Sequence, residues 1–474
     1  MPSILVGPRP LAATAFLVVF FFLFAPAKAQ EVEIGPKYTP EQIVRFIEKN
    51  GKFAFAAAEA DIGAAKAQLS KARAALFPSL TFSSTGQLYE STQQYRGDNA
   101  EVLANLEVVQ PIYDFGKTYD AIKAERSSIE AAEKKYISAR NTVLLEGLAA
   151  FYSLHASELL ERAVYEAHSS AYVRWDRTKE LKKYGKKSAL DVAEWLSNVE
   201  KTRLVYYRER SRNNALRLRL EELTGKSLAG ELINSPEPPK SKIIDFDFEK
   251  VADLVEKKNP DLAALRKQVQ ALRFKREGTV SRPKLEAFGD VGHSSRDLRG
   301  RNEWAVGARL NWNIFDGGII RAERSRLAAQ ESRASSVFEV KRREIRRKAK
   351  NLVTDINDSW QQIVSAFARK SFLSKQLLRR QEVYQQERVT DLGTAMIDDT
   401  RAESEMVRAT GAYYVDMARL MVVMGENPAK IFDKNFINTL KKTLALNAGE
   451  SFVPKSGSGF GQDDQDKVNK NVTR

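Results

Sequence analysis

The sequence of 474 residues has no cysteine and only three histidines, His155, His168 and His293. The absence of cysteine excludes disulfides, zinc–thiolate sites, iron–sulfur clusters, a catalytic thiol and a lipid anchor on an N-terminal cysteine. The histidines are too scattered along the chain to form a histidine-rich metal motif. We therefore predict no metal, no cofactor and no catalytic residue.

Long apolar runs are also scarce. Charged residues make up 29% of the chain and the mean hydropathy is −0.42, which excludes a polytopic helical membrane protein. The one long apolar run, residues 11–24, is shorter than the roughly 20 residues that a membrane-spanning helix needs. Arg9 precedes this run and Ala27-Lys28-Ala29 follows it, as in a secretory signal peptide. We predict a signal peptide over residues 1–29; the alternative, a single membrane anchor, is disfavoured by the length.

The net charge is +15, and it falls to +13 when Arg9 and Lys28 are removed with the signal peptide. In a cytoplasmic protein such a charge would indicate nucleic-acid binding. In an exported protein it indicates an anionic lipid, an acidic partner or an acidic cargo. We therefore predict no nucleic acid as a partner.

Proline is absent from two long stretches, residues 112–235 and 284–427, which are rich in strong helix formers. Apolar residues in both stretches recur at spacings of three and four, which is typical of coiled-coil packing. In the second stretch they are Met406, Ala409, Tyr413, Met417, Leu420 and Met424, and in the first Ala189, Val192, Leu196 and Val199. The predicted long helices span residues 117–184, 188–224, 318–392 and 396–424.

Two segments with a period of two, residues 79–110 and 284–314, interrupt the helices and predict two hairpins. Trp304, Val306, Leu310 and Trp312 share one face of the second hairpin, and polar or small residues alternate with them. Strands of about ten residues cross a membrane when tilted, and aromatic residues mark its two surfaces. We predict that these four residues face lipid; a surface hairpin on a soluble core explains two indoles on one face less well.

The chain repeats itself with a nearly constant offset. Pro78-Ser79-Leu80 recurs as Pro283-Lys284-Leu285, and the segment 112–116 recurs as 314–318. We predict a tandem duplication made of a first repeat, a linker, a second repeat and a flexible polar tail. These cover residues 30–235, 236–247, 248–444 and 445–474.

Glycines mark the junctions within each repeat. Asp114 and Asp316, followed by Gly116 and Gly318, lie where a strand ends and a helix begins. A helix cap with a tight turn accounts for this pattern. Gly185 and Gly393 interrupt the long helices, and we predict that both lie at helix-to-helix turns at the far end of the molecule.

The lengths of the predicted elements require association. A helix over residues 117–184 is about 100 Å long at ~1.5 Å per residue, and one chain cannot bury so long a rod. Four strands cannot close a barrel either, because about eight is the minimum and about twelve or more leave an opening. Three chains would supply twelve strands.

The repeated segments resemble the TolC family of outer-membrane channel proteins over nearly the whole mature chain. No single motif is specific, but the ordered and duplicated set is. The set comprises the strand openings at Pro78 and Pro283, the strand ends 110–116 and 313–318, Asn259-Pro260-Asp261-Leu262 and Leu223-Thr224-Gly225.

The resemblance implies a mainly α fold with a small β part: a homotrimer whose twelve-stranded outer-membrane β-barrel continues into a long α-helical barrel in the periplasm of a Gram-negative bacterium. It implies an exit duct that passively conducts substrates delivered by an inner-membrane transporter, ABC-type or proton-driven, through a periplasmic adaptor. Its partners would then be two further chains, the adaptor, the transporter and outer-membrane lipid. Both type I protein secretion and multidrug efflux fit this description.

The resemblance also suggests a pore entrance. Acidic residues at the position of Asp399 project into the closed entrance of family members, and Asp191 is its counterpart in the first repeat. Ala402 stands at the family's second acidic position, and Ala395 at a basic position that ties the entrance together in some members. For both aspartates the alternative interpretation is solvation of a helix start.

Other classes of function fit less well. Gly116-Lys117-Thr118 and Gly225-Lys226-Ser227 look like the end of a phosphate loop, but Pro111 and Leu220 stand where its first glycine is required. An exported coiled-coil structural or adaptor protein without a pore would not need the two hairpins. A nucleic-acid-binding coiled coil would not need a signal peptide.

Overall fold

A computed structural model describes residues 38–88, 100–228, 238–239, 242, 246–294, 303–386 and 391–444. The predicted signal peptide, the tips of both hairpins, most of the predicted linker and the predicted tail lie outside these residues. The described part consists mostly of helices with one four-stranded sheet, so the predicted mainly α fold class is confirmed.

The two halves of the chain have the same order of elements. The first half contains α1 (Pro40–Asn50), α2 (Ala56–Ala74), β1 (Ser79–Leu88), β2 (Ala100–Tyr113), α3 (Lys117–Lys183) and α4 (Ala189–Thr224). The second half contains α5 (Phe248–Lys258), α6 (Pro260–Gly278), β3 (Lys284–Ser294), β4 (Trp304–Asn311), α7 (Ile319–Gln385) and α8 (Leu392–Val423). The short helix α9 (Lys434–Leu444) follows.

Local capping fixes where the short helices begin. Thr39 and Gln42 form a capping box at the start of α1, and the buried face of that helix carries Ile43, Val44 and Ile47. Asn259 caps α6 by accepting a hydrogen bond from the Leu262 N–H at 2.9 Å, and Pro260 occupies the first helical position. These caps start a new helix immediately after α5.

The core lies where α1, α5 and α9 pack on the middle of the long helices. One cluster of buried side chains joins α1 to α3 and α4, and includes Ile43, Leu148, Phe151 and Leu220. The other joins α5 and α9 to α7 and α8, and includes Val353, Ile356, Tyr413 and Met417. Most of the predicted apolar seam of residues 406–424 is buried in this second cluster.

Glycine permits one close helix contact in this core. A Cβ atom added at Gly411 of α8 would lie 2.6 Å from the Cβ atom of Tyr152 in α3. Real side chains do not approach so closely, so the α3–α8 contact requires a residue without a side chain at this position. The tandem halves are thus joined through backbone-to-side-chain packing at the middle of the molecule.

The four strands form one antiparallel sheet in the order β1-β2-β3-β4. The predicted hairpin boundaries need two corrections. β2 continues past residue 110 to Tyr113, with an irregularity between Pro111 and Tyr113 where it pairs with β3. β4 ends at Asn311 and not at residue 314, because Lys284 is its last partner and the next residue back is Pro283, which has no N–H to donate. Trp312 therefore lies just beyond the strand.

The boundaries of the long helices in the second half also differ from the prediction. α7 ends at Gln385 instead of residue 392, and α8 begins at Leu392 instead of residue 396. Gly393 is therefore inside the first turn of α8 and is not the residue of a helix-to-helix turn. The physical reason is Asp391, whose carboxylate accepts a hydrogen bond from the Thr394 N–H at 3.2 Å and starts the helix before the glycine.

Candidate functional site

The sheet has an apolar face that is exposed in the single chain. Trp304 is 67% exposed, Val306 78% and Leu310 62%, and Trp312 beyond the strand end is also exposed. One row of this face runs across all four strands, because Phe82 pairs with Leu106, Leu106 with Val291, and Val291 with Trp304. A soluble protein buries such a face; here it is the most exposed surface of the sheet.

The opposite face of the sheet is polar and charged. Glu286 is only 5% exposed and sits among cations: Arg309 Nε donates to it at 3.1 Å, and Lys284 forms a close ion pair with it. Arg309 also reaches across to Glu107 on β2 at 3.2 Å. The wall of a transmembrane barrel has this arrangement, because its polar side chains face the lumen and its apolar side chains face lipid.

The two outer strands of this sheet, β1 and β4, each have one edge without a described pairing strand. Within a membrane the backbone groups of such an edge must find partners, because lipid cannot supply them. The helix α3 contains one window apolar enough to cross a membrane, but 44% of that window is buried inside the protein. The geometry therefore points to the sheet as the membrane-facing part.

The strand-to-helix turns are built alike in both halves. Asp114 accepts hydrogen bonds from the backbone N–H groups of Gly116 at 3.1 Å and Thr118 at 2.7 Å. Asp316 does the same for Gly318 at 2.9 Å and Ile320 at 2.8 Å. Gly116 and Gly318 occupy the N-cap positions with φ of +88° and +95°, in the left-handed region that favours glycine.

These caps change the acidity of both aspartates. Burial acts to raise the pKa of Asp114, but the hydrogen bonds from Thr118 and Gly116 outweigh it and hold that pKa below the usual range. The backbone hydrogen bond from Ile320 lowers the pKa of Asp316 in the same way. Both carboxylates therefore serve as charged helix caps at the base of the sheet.

At the far end of the first helical pair, Gly185 lies between α3 and α4 with φ of +71°. Asp191 and Ser188 form a capping box at the start of α4, and Lys187 approaches the same carboxylate at 3.3 Å. The hydrogen bonds from Ser188 lower the pKa of Asp191. In the single chain Asp191 thus has the helix-start role that the sequence offered as the alternative to a pore-entrance role.

At the far end of the second helical pair lies a contact that the sequence did not predict. Arg174 of α3 donates to Asp391, the cap of α8, at 2.7 Å, and the Arg174 guanidinium lies over the Trp195 ring of α4. Arg380 of α7 donates to the Asp391 carbonyl at 3.0 Å. One aspartate therefore connects to α3, α7 and α8. Arg174 and Asp391 are 217 residues apart in the sequence, so no local spacing marked them.

Asp399 is 18% exposed at its side chain and is tied to α7. Lys370 Nζ donates to its carboxylate at 2.9 Å, and Ser374 Oγ donates at 2.7 Å. The residue is eight positions into α8, so solvation of a helix start does not describe it. Ala395 and Ala402, on the same side of α8, are both buried inside the chain.

The fold and the sheet define a class: a tandem pair of long helical hairpins attached to a sheet with an apolar outer face, as in TolC-like outer-membrane channels. The Campylobacter jejuni CmeC outer membrane channel is similar with a TM-score of 0.64 and 17% identity, over 86% of this chain and 95% of that one. The outer membrane protein VceC of Vibrio cholerae is similar with a TM-score of 0.60 and 14% identity, over 81% of this chain and 96% of that one.

Residues 49–226 match the family model described as outer membrane efflux protein. This match covers the first half of the chain, and the fold of TolC-like channels extends along both halves. The predicted resemblance to the TolC family is confirmed. The family is one of transport channels. No curated protein matches the chain.

Proposed function

We propose that this protein is the outer-membrane exit duct of a tripartite export system. Three copies form a twelve-stranded β-barrel in the outer membrane, and their long helices form a second barrel in the periplasm. The single observation that carries the proposal is the sheet, whose apolar face is exposed and whose charged face contains the Arg309–Glu286–Glu107 network. Substrates pass along the charged face without a chemical step.

The edges of the sheet support the trimer. The antiparallel order leaves β1 at one edge and β4 at the other, so β4 of one chain pairs with β1 of the next. Repeating this contact three times closes a ring of twelve strands, and a barrel of that size leaves an opening. Closure also gives the backbone N–H and C=O groups of every strand edge a hydrogen-bonding partner within the membrane.

A periplasmic adaptor protein and an inner-membrane transporter deliver the cargo. The helical pairs support this role, because α3 and α7, at 67 residues each and ~1.5 Å per residue, extend roughly 100 Å from the sheet. Both efflux of small molecules and type I protein secretion fit the family match, and the transport process is taken here as efflux. Loss of the gene should then increase sensitivity to toxic small molecules; loss of a secreted protein with unchanged sensitivity would indicate type I secretion instead.

The helix tips form the periplasmic entrance. The Gly185 turn and the Asp391 cap, with Arg174 between them, bring α3, α4 and α8 together at this end. Asp399 supplies the carboxylates of the entrance in the closed duct, but Lys370 of the same chain compensates much of their charge. Asp191 contributes less, since Ser188 and Lys187 already engage it.

Fractionation tests the proposal directly. The expected result is recovery in the outer membrane as a trimer that separates into monomers on heating before electrophoresis, with channel conductance in a planar bilayer. A soluble periplasmic monomer without conductance would contradict the proposal and favour a coiled-coil structural or adaptor protein.

A further inference from the structure

A belt of exposed apolar residues surrounds the base of the sheet, where strands give way to helices. Its aromatic members come from both halves of the chain: Phe77, Tyr113, Phe115, Trp312 and Phe315. Aromatic residues concentrate where a membrane's hydrocarbon meets its headgroups. If the sheet spans the outer membrane as proposed, this belt marks the leaflet nearer the helices.

Phe115 occupies its place in the belt at a conformational cost. It is the one non-glycine residue in the described chain with a positive φ, +55°, while the equivalent position in the second half is Gly317 with φ of +68°. Arg282 fixes the strained backbone by donating to the Phe115 carbonyl at 3.0 Å, and the ring packs on Tyr113 with 4.7 Å between centroids. Glycine would remove the strain, and the ring remains 46% exposed, so its contact with Tyr113 does not by itself account for an aromatic residue at this position.

The acidic residues next to the belt are all engaged. Asp114 and Asp316 cap helices, as described above. Asp120 pairs with Arg282 at 3.1 Å, and Glu323 pairs with Arg326. None of these carboxylates is left to balance further cations.

Four exposed cations at the same level have no partner among the described residues: Arg73, Lys117, Arg321 and Arg324. Arg73 is in the last turn of α2, Lys117 is the first residue of α3, and the two arginines lie in the first two turns of α7. At ~1.5 Å per residue they fall within roughly 10 Å of the helix ends. The headgroup layer of a bilayer is about 5–8 Å thick on each side, so these side chains reach it.

Helix stability does not account for these cations. The positive end of the helix dipole disfavours Lys and Arg in the first turn, where Lys117 and Arg321 lie. The first turn of α7 contains no acidic residue to offset Arg321. An anion outside the chain would offset this unfavourable charge, and the belt beside these residues indicates that lipid headgroups are the nearest source of one.

We propose that Arg73, Lys117, Arg321 and Arg324 form a collar that binds the phosphate groups of anionic phospholipids in the leaflet nearer the helices. The inference rests on the proposed function for the membrane position of the sheet. Guanidinium groups bind phosphate in a bidentate manner, and Lys117 adds a point charge. A homotrimer would carry three copies of the collar. Part of the chain's net charge of +15 would then lie at the membrane surface and pair with lipid phosphates.

Tryptophan quenching by brominated phospholipid tests the collar. A Trp304→Phe variant keeps Trp312 as the one tryptophan in the apolar surface of the sheet. The purified trimer is placed in vesicles of mixed phosphatidylcholine and phosphatidylglycerol, with bromine on one lipid or on the other. We expect phosphatidylglycerol to occupy sites near Trp312 on the order of threefold more often than its share of the bilayer, and the preference to fall with added salt.

The collar variant, Lys117→Gln, Arg321→Gln, Arg324→Gln, removes three of the four collar cations and should lose that preference. A matched control, Arg177→Gln, Lys182→Gln, Lys186→Gln, removes the same charge from exposed residues in the last turns of α3 and the turn after it, and should keep the preference. Equal quenching by both lipids in the parent protein, or an unchanged preference in the collar variant, would overturn the proposal. Loss of trimer in the collar variant would assign these cations to a neighbouring chain and would overturn it as well.

The same samples also test the proposed function independently of the collar. No quenching by either brominated lipid would mean that the sheet is not embedded in the bilayer, and the exit-duct proposal itself would then be wrong. Quenching without preference, together with normal channel conductance, would overturn the collar proposal and leave the exit-duct proposal intact.

Discussion

Leu310 and Arg309 are neighbours in β4 that point to opposite faces of the sheet. Leu310→Arg places a charge on the proposed lipid face, where a cation near the midplane costs roughly 2–4 kcal/mol. We expect much less heat-sensitive trimer in the outer membrane. Arg309→Gln, on the charged face, should leave trimer yield near that of the parent and change the single-channel conductance.

The comparison of these two variants decides the register of the strand. Equal loss of trimer in both would show that the assignment of faces is wrong. Normal trimer in Leu310→Arg would show that this face does not contact hydrocarbon.

Lys370 masks Asp399 in the single chain, and this gives the entrance a specific test. Lys370→Met frees a carboxylate that is now paired at 2.9 Å, and the threefold axis would bring three of them together. Like charges in a narrow opening attract multivalent cations. We expect stronger block of the single-channel current by added divalent or trivalent cations, and loss of that increase in the double variant Lys370→Met, Asp399→Ala.

Asp191→Ala is the matched control for the entrance, since its carboxylate serves a capping box in α4. It should change the block little. If Lys370→Met and the parent protein are blocked equally, Asp399 does not face the pore and its role is to join α7 to α8.

Asp416 gives a prediction about pH. It is 7% exposed, and burial raises its pKa although Arg419 pairs with it at 2.7 Å. A carboxyl whose pKa is raised on folding binds its proton more tightly in the folded state. Its contribution to stability is therefore greatest below the unfolded pKa of about 3.9 and decreases as the pH rises through the folded pKa.

Asp416→Asn should remove that part of the pH dependence. The measurement is the melting temperature of the detergent-solubilised protein at pH 4 and pH 7, and the variant should gain more at pH 7 than at pH 4. A larger gain at pH 4 would show that the ion pair with Arg419 outweighs burial.

Single residues were harder to predict from the sequence than the strands that contain them. The alternation from Trp304 to Asn311 appears directly in the sequence, because side chains in a strand have a period of two. Gly393 was assigned to a turn because glycine often ends helices, yet the cap at Asp391 overrides it. Arg174 was missed because its partner is 217 residues away.

At the scale of elements, the contact between α3 and α8 depends on Gly411. Gly411→Ala would place a Cβ atom 2.6 Å from Tyr152, whose side chain is buried and cannot move freely. Overpacking of this kind costs typically about 1–3 kcal/mol. We expect a lower melting temperature.

Gly63→Ala in α2 is the matched control, because no atom lies within 4 Å of the added Cβ. Alanine in a helix interior is favoured over glycine by roughly 0.5–1 kcal/mol, so this variant should be neutral or more stable. Destabilisation by both substitutions to the same extent would remove the packing argument for Gly411.

The long helices were the elements best predicted by the sequence. Proline-free stretches and strong helix formers set their extent, and α3 and α4 begin within a residue of the expected positions. The two apolar seams differ in a way that no pattern could show. The seam of α8 is largely buried in the core, whereas Ala189 and Leu196 of the α4 seam remain exposed in the single chain. Periodicity identifies an apolar face but not the chain that covers it.

For the assembled protein, two features favour association of several chains: the edges of β1 and β4 that have no pairing strand among the described residues, and the length of the helices. Within one chain β1 and β4 are separated by two strands, so they lie roughly 14 Å apart at ~4.8 Å per strand spacing. Across the proposed chain-to-chain contact they are neighbours. A short distance between β1 and β4 is therefore expected only where two chains meet. A closed trimer contains three such contacts.

The absence of cysteine makes this distance measurable in cells. Ser83→Cys on β1 and Ala305→Cys on β4 place two thiols on the charged face at the two edges, and a bis-maleimide crosslinker of about 8 Å is too short to join them within one chain. The account predicts covalent dimers and trimers from the outer-membrane fraction, none larger, and none from either single variant. Uncrosslinked monomers, or a ladder continuing beyond the trimer, would contradict a closed three-chain duct.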